Sequence, residues 1–117
     1  MSSKVNIYEV EEYEFDKLLQ KERVLVMFGA IWCPHCRAMQ SALEEVKEAH
    51  PEIYVARADA DRAPALAARF SVRGLPTTLY FEKGEEKGRL VGFRRRAELE
   101  EMLKAHAMRD KIPDPVP

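Results

Sequence analysis

Two cysteines, Cys33 and Cys36, are the residues of this sequence best suited to chemistry, and only two residues separate them. A disulfide across so short a loop removes little entropy from the unfolded chain, so it would stabilise the fold poorly. Thiols at this spacing are more typical of a redox pair. An apolar run, 24–30, precedes them and a helical pattern, 37–50, follows, so both lie where a strand meets a helix start. Free N–H groups and the helix dipole favour a thiolate at that position.

Metal and haem sites are poor alternatives for this motif. His35 lies between the two cysteines, but three neighbours on one helical turn cannot all converge on zinc, and the sequence offers no second ligand cluster. Arg37 rather than histidine follows Cys36, so the haem-attachment pattern is absent. We therefore expect neither a metal nor an organic cofactor.

The chain has 117 residues and 46% hydrophobic content, which fits one compact domain with a core of its own. We predict that this domain spans residues 1–108. Residues 109–117 are rich in proline and are expected to form a tail that does not continue the last helix.

Charge and hydropathy exclude two classes of partner. The net charge is −1, with 19 basic and 20 acidic residues, so no overall field favours nucleic acid or an anionic membrane. The basic run 94–96 is followed closely by glutamates and is more typical of a solvated helix start. No segment approaches the ~18 apolar residues of a membrane span or a signal-peptide core. We expect a cytoplasmic protein, although a leader already removed would leave no trace.

Hydrophobic periodicity predicts the order β α β α β α β β α. This order is typical of an α/β fold in which a mixed sheet of about five strands has helices on both faces. The predicted strands are 5–10, 24–28, 53–59, 77–81 and 87–92, and the predicted helices are 11–20, 37–50, 65–70 and 95–108.

At this point the sequence resembles the thioredoxin family over roughly residues 5–107, and the expected fold is therefore the thioredoxin fold. The matching stretches are Phe28 to Cys36 at the strand–helix junction, Arg57 to Asp61 after the next strand, Val72 to Thr77, and Gly92 before the last helix. A lone C-x-x-C motif would be weak evidence, and its combination with Leu75-Pro76-Thr77 before a strand is much more specific.

The resemblance also implies a binding surface for substrate. In this family the corresponding proline is cis and lies beside the cysteine pair, so Pro76 is expected to be cis. An apolar rim, called the substrate rim below, would receive the substrate polypeptide; it consists of Trp32, Pro34, Leu75, Pro76, Val91 and Gly92. Turn geometry and packing are the alternative explanation for these residues, most of all for Val91.

The expected mechanism assigns different roles to the two thiols. Cys33 lies at the exposed helix start and should attack a substrate disulfide, and Cys36, one turn deeper, should resolve the mixed disulfide. His35 belongs to a Pro-His pair that resembles disulfide oxidases of the DsbA type, and a partly protonated imidazole favours the reduced form. We therefore predict a potential more oxidising than that of ordinary thioredoxin, unless His35 is only an exposed helix residue.

Met27 departs from the family pattern, which has a buried aspartate at this position to assist proton transfer at the deeper cysteine. A thioether cannot carry a proton. Cys36 would then lose its proton through water or another group, such as Asp59 or the region around Arg57. An ion pair between Arg57 and Asp59 or Asp61 is the alternative role for that arginine.

These features predict a monomeric protein disulfide oxidoreductase, a reductant recharged by a donor of the thioredoxin-reductase type. A disulfide oxidase or isomerase is the first alternative, favoured by His35. The second is a binding module that uses the thioredoxin scaffold and its redox state as a switch. The chain has no room for the inserted helical domain of DsbA-type proteins, so an open substrate groove is expected.

Overall fold

The computed structural model describes residues 7–111, with side chains for residues 7–106, and its helices and strands follow the predicted order. The strands are β1 (Tyr8–Glu9), β2 (Arg23–Gly29), β3 (Tyr54–Asp59), β4 (Thr77–Glu82) and β5 (Glu85–Val91). The α-helices are α1 (Phe15–Leu18), α2 (Pro34–Ala49), α3 (Pro64–Arg69) and α4 (Arg96–Lys111), and a 3-10 helix, Glu12–Glu14, precedes α1.

The five strands form one mixed sheet in the order β1-β3-β2-β4-β5. The strands β1, β3 and β2 are parallel to their neighbours, whereas β4 pairs antiparallel with both β2 and β5. The continuous apolar run of β2 is buried from Val24 to Gly29, as expected for a central strand covered on both faces. The predicted thioredoxin fold is confirmed.

Two layers of helices cover the sheet, one on each face. Leu25 and Met27 of β2 face the core formed with α2 and α4, whereas the alternate residues Val24, Val26 and Phe28 face the core formed with α1 and α3. This alternation follows from the two-residue period of a strand. The inward stripe predicted for α2 is buried along its whole length, and it consists of Cys36, Met39, Leu43 and Val46.

The structure differs from the sequence prediction at both ends of the chain. The predicted helix 11–20 divides into the 3-10 helix and the single turn of α1, because Glu11 and Glu14 form a capping box that closes a tight first turn. The helix α4 continues to Lys111, past the boundary predicted at residue 108, since no helix breaker occurs before Pro113. The rest of the predicted tail, 112–117, lies outside the described residues, as does the start of the first predicted strand.

None of the helices between residues 7 and 111 has both the length and the apolar character needed to cross a bilayer.

Candidate active site

The cysteine pair lies where β2 gives way to α2, as predicted. Cys33 is the N-cap residue of α2, Pro34 follows as the first helical residue, and the Sγ of Cys33 accepts a hydrogen bond from the N–H of Cys36 at 3.3 Å. The same N–H also donates to the carbonyl of Cys33 at 3.1 Å, so the sulfur accepts one branch of a bifurcated hydrogen bond in the first turn of α2. Both cysteines are free thiols and both are buried. The predicted exposure of Cys33 is therefore wrong, because its side chain packs in the same core cluster as Cys36.

Cys36 is held in its protonated form. Burial raises the pKa of the Cys36 thiol to about 12, and its hydrogen bond with Cys33 acts in the same direction. At neutral pH the Cys36 sulfur is thus a thiol, whereas the Cys33 sulfur lies at the N-cap of α2. The two sulfurs, equivalent in the sequence motif, are chemically distinct in the fold.

The last residue of β2, Gly29, packs directly against Cys36. A Cβ atom at Gly29 would lie 3.0 Å from the Sγ and 3.2 Å from the Cβ of Cys36, so a side chain at this position would press against the Cys36 thiol. The same added Cβ would lie 3.5 Å from the Cε of Met27, whose side chain is buried in the core that also contains both cysteines. The Cys36 sulfur therefore lies beside the Met27 thioether and the backbone of Gly29, and residue 27 offers it no carboxylate.

The exposed side of the motif carries several large apolar side chains. Trp32 is 65% exposed and its indole N–H donates a 2.7 Å hydrogen bond to the Asp61 carboxylate, so a bulky ring is fixed at the surface. Pro34 and Val91 of the predicted substrate rim are also exposed. The rings of His35 and Phe93 form an edge-to-face pair, with their centroids 6.4 Å apart and their planes nearly at a right angle.

The loop that precedes β4 completes the predicted rim. The peptide bond between Leu75 and Pro76 is cis, and the N–H of Gly92 donates a 2.7 Å hydrogen bond to the carbonyl of Pro76. Gly92 has a φ of 88°, a conformation that glycine adopts without steric cost. Leu75 is half-buried and packs against the core that contains both cysteines. The loop is thereby joined to the end of β5 and to the cysteine core.

A second opening reaches Cys36 from a different direction. A cavity of about 500 Å³, called the Cys36 cavity below, is lined by Cys36, Gly29 and Met27 together with charged residues of β3 and α2. Arg57 is one of them, but it pairs with Glu9 at 3.3 Å and with the amide oxygen of Gln40 at 2.7 Å. The predicted partners of Arg57, Asp59 and Asp61, are therefore wrong, because residue 9 is its direct neighbour in the β1–β3 register.

Sequence reasoning missed four features of this site: the aromatic ring of Phe93, the exposed Ile31, the Asp61 partner of Trp32 and the Cys36 cavity. Phe93 had a usable signal, since it follows Gly92 at a turn already assigned to the rim. The other three depend on contacts between distant parts of the chain. Among the side chains of residues 7–106, no group of three or more histidine, cysteine or acidic residues is arranged to hold a metal ion.

Comparison with known proteins agrees with this geometry. Residues 6–105 match the family model described as Thioredoxin. The chain is 34% identical over 101 residues to a thioredoxin of Staphylococcus haemolyticus, a match that covers 86% of this chain and 97% of that protein. The structure of a thioredoxin variant from Halobacterium salinarum superposes with a TM-score of 0.80 at 29% identity, covering 90% of this chain and 94% of that one.

Two longer proteins are similar over part of their length. Thioredoxin-2 of Pyricularia oryzae is 36% identical over 87 residues, and Protein disulfide-isomerase 1 of Caenorhabditis elegans is 39% identical over 85 residues. These matches cover 74% and 68% of this chain. The chain spans 50% of the length of the first protein and 18% of the second.

Proposed function

Since the chain belongs to the thioredoxin family and is a protein disulfide oxidoreductase, we propose that it reduces disulfide bonds of other proteins through Cys33 and Cys36. One observation carries this proposal: the Cys33 sulfur accepts the N–H of Cys36 at the start of α2, while the Cys36 thiol is kept protonated by burial. The pair therefore has one sulfur placed to attack, that of Cys33, and a second, that of Cys36, which stays protonated until it resolves the mixed disulfide.

The proposed reaction has two exchange steps. The Cys33 thiolate attacks one sulfur of a substrate disulfide, forms a mixed disulfide and releases the other substrate sulfur as a thiolate. Cys36 then loses its proton and attacks the sulfur of Cys33, which releases the second substrate thiolate and leaves a Cys33–Cys36 disulfide. Two electrons pass from the protein to the substrate, and neither a metal nor an organic cofactor is required.

The substrate rim is proposed to hold the polypeptide on either side of its disulfide. Trp32, Pro34 and Val91 provide exposed apolar contact area, and Leu75, Pro76 and Gly92 provide the ordered loop beside it. Ile31 and Phe93, which are 79% and 42% exposed, extend this surface. A contiguous exposed apolar surface of this kind is a usual sign of a protein-binding site.

Proton removal from Cys36 needs a group other than Met27. Asp59 and Glu9 are the two carboxylates that line the Cys36 cavity together with the Cys36 thiol. Glu9 is paired with Arg57 and Arg62, whereas Asp59 accepts hydrogen bonds only from backbone N–H groups among the contacts of the described residues. We propose that Asp59 receives the proton through water in this cavity.

His35 is proposed to raise the reduction potential. Its ring is exposed in the first turn of α2, two residues from Cys33, where a positive charge would favour the thiolate. Equilibration with glutathione and dithiothreitol buffers should give a potential above the value of about −270 mV for thioredoxin and below the value of about −120 mV for DsbA. A value at or below about −270 mV would contradict this role.

The proposed setting is the reducing cytoplasm, where a donor of the thioredoxin-reductase type would recharge the protein as a monomer. Oxidation or isomerisation of protein disulfides is the second candidate, favoured by His35 and by the similarity to Protein disulfide-isomerase 1. Reduction of insulin disulfides with dithiothreitol as the reductant tests the main proposal. We expect turnover by the wild type, none above background by Cys33→Ser, and a trapped mixed disulfide in Cys36→Ser. Little turnover by the wild type would instead indicate a binding module.

A further inference from the structure

The Cys36 cavity opens beside the surface proposed to bind protein substrates, and the two share Ile31. Its lining includes Cys36 and Gly29, but it includes neither Cys33 nor any residue of the substrate rim. Its volume of about 500 Å³ lies within the range of about 300–1,000 Å³ that is typical of small-molecule sites. The cysteine pair can thus be approached from a second side, for which only the proposed proton transfer from Cys36 to Asp59 has been assigned so far.

Gly29 is the reason that this cavity reaches the sulfur. Because residue 29 lacks a side chain, the space where its Cβ would lie is bounded by the Cys36 Sγ, 3.0 Å away. Met27 and Ala30 supply apolar surface around the sulfur. Cys36 is 4% exposed and Cys33 is 5% exposed, so the two residues are buried to a similar degree.

The charged residues of the cavity favour an anionic ligand. Three arginines and two carboxylates line it, which leaves one net positive charge: Arg37, Arg57 and Arg62 against Glu9 and Asp59. Arg57 pairs with Glu9, and Arg62 pairs with both Glu9 and Glu11, so the charges of these two arginines are largely balanced. Arg37 donates to the carbonyl of Ile31 at 2.9 Å and forms no ion pair with any side chain between residues 7 and 106. A guanidinium at the cavity is therefore available to a carboxylate.

We propose that the Cys36 cavity binds a low-molecular-weight thiol that carries carboxylate groups, with a carboxylate at Arg37 and its sulfur at Cys36. This inference rests on the proposed redox function and adds a second source of electrons. The small thiolate attacks the Cys36 sulfur of the oxidised protein, the Cys33–Cys36 bond breaks, and Cys33 leaves as a thiolate stabilised at the start of α2. A second small thiol attacks the mixed disulfide and releases Cys36 and a small-molecule disulfide.

The experiment compares a carboxylate-bearing thiol with a neutral one. The oxidised protein is reduced by glutathione or by 2-mercaptoethanol, and free protein thiols are counted by mass spectrometry after quenching and alkylation. We expect the rate to saturate with glutathione concentration and to rise linearly with 2-mercaptoethanol. Arg37→Gln should lower the glutathione rate by about two- to five-fold, as expected for one exposed ionic contact, and leave the 2-mercaptoethanol rate unchanged.

Lys104→Gln is the matched control, because it removes one positive charge from an exposed site that does not line the cavity. It should change neither rate. Equal effects of Arg37→Gln on both thiols, or no effect on glutathione, would overturn the proposal. Gly29→Ala gives a steric test: the added methyl group narrows the approach to the sulfur and should slow both small thiols.

A second measurement identifies the reacting sulfur. In Cys33→Ser, Cys36 is the only thiol. Because burial holds its proton, the reaction with glutathione disulfide is followed at alkaline pH, where the Cys36 thiolate should form an adduct and release one glutathione thiolate. Adduct formation that is slowed by Arg37→Gln supports the site, and no adduct contradicts it. Insulin reduction with dithiothreitol is measured on the wild type and on Arg37→Gln, both of which retain the two cysteines. Normal insulin turnover without an Arg37 effect would reject this inference alone, whereas absent turnover would reject the proposed function.

Discussion

The indole N–H of Trp32 donates a 2.7 Å hydrogen bond to the carboxylate of Asp61, and this bond ties the active-site motif to the turn after β3. Trp32 is otherwise largely exposed, so the bond restricts a ring that would be free to change rotamer. A fixed aromatic ring beside Cys33 loses less entropy when a substrate packs on it.

Asp61→Ala should therefore lower kcat/KM for insulin by about two- to five-fold, the effect of losing one exposed charge-assisted hydrogen bond. Asp61→Asn retains an acceptor and should recover most of the activity. Because Trp32 is the only tryptophan, its fluorescence anisotropy reports the loss of restraint directly. Asp16→Ala, which breaks an exposed ion pair with Arg69 elsewhere, is the control. Unchanged anisotropy in Asp61→Ala would contradict this role.

The raised pKa of Cys36 predicts a stability that depends on pH. The unfolded thiol titrates near 9, whereas the folded thiol titrates at about 12, so the folded state retains a proton that the unfolded state has lost. This contribution is fully present below pH 9 and is lost as the pH rises towards 12. In the reduced protein, the difference in unfolding free energy between wild type and Cys36→Ser should therefore shrink above pH 9.

Urea unfolding at a series of pH values measures this difference. Subtracting the unfolding free energy of Cys36→Ser from that of the wild type cancels the titration of the tyrosines, which both proteins share. Alkylation gives an independent check: iodoacetamide at neutral pH should modify Cys33 and spare Cys36. A difference in unfolding free energy that stays constant from pH 8 to 11 would show that burial does not hold the proton on Cys36.

Met27→Asp should restore a proton acceptor next to Cys36. Met27 is buried in the core that contains the cysteine, so the new carboxylate can accept the Cys36 proton, and resolution of the mixed disulfide should become faster with a shifted pH profile. Stopped-flow measurement of the resolution step provides the readout. Met27→Leu conserves volume without adding an acid and should keep the wild-type profile.

The Met27→Asp variant should also lose stability, and the loss should depend on pH. Burial raises the pKa of the introduced carboxyl above its unfolded value of about 3.9. The variant should therefore lose stability relative to Met27→Leu as the pH rises through and above that value. A resolution profile identical to wild type in a folded Met27→Asp protein would exclude a direct role for residue 27 in proton transfer.

The fold and the cysteine pair could be predicted from sequence because their signals are local. The apolar run of β2, the helical stripe of α2 and the position of Cys33 before Pro34 all follow from neighbouring residues. The partner of Arg57 could not, because strand pairing brings Glu9 beside it across 48 residues of chain. The Cys36 cavity was also missed, since the effect of Gly29 depends on how closely α2 packs against β2.

Phe93 is expected to contribute to substrate binding rather than to the chemistry of the cysteines. Its ring is 42% exposed and stands edge-on to His35, so it extends the apolar surface next to the motif without touching either sulfur in the described contacts. Phe93→Ala should lower kcat/KM for insulin by about three-fold, since part of an aromatic side chain no longer leaves water on binding. The rate with the small disulfide 5,5′-dithiobis(2-nitrobenzoate) should stay unchanged, because that substrate does not span the rim.

Tyr13→Ala removes a more exposed ring, 87% exposed in the 3-10 helix, and should affect neither substrate. Equal losses with insulin and with the small disulfide would instead place Phe93 in the reaction of Cys33 itself.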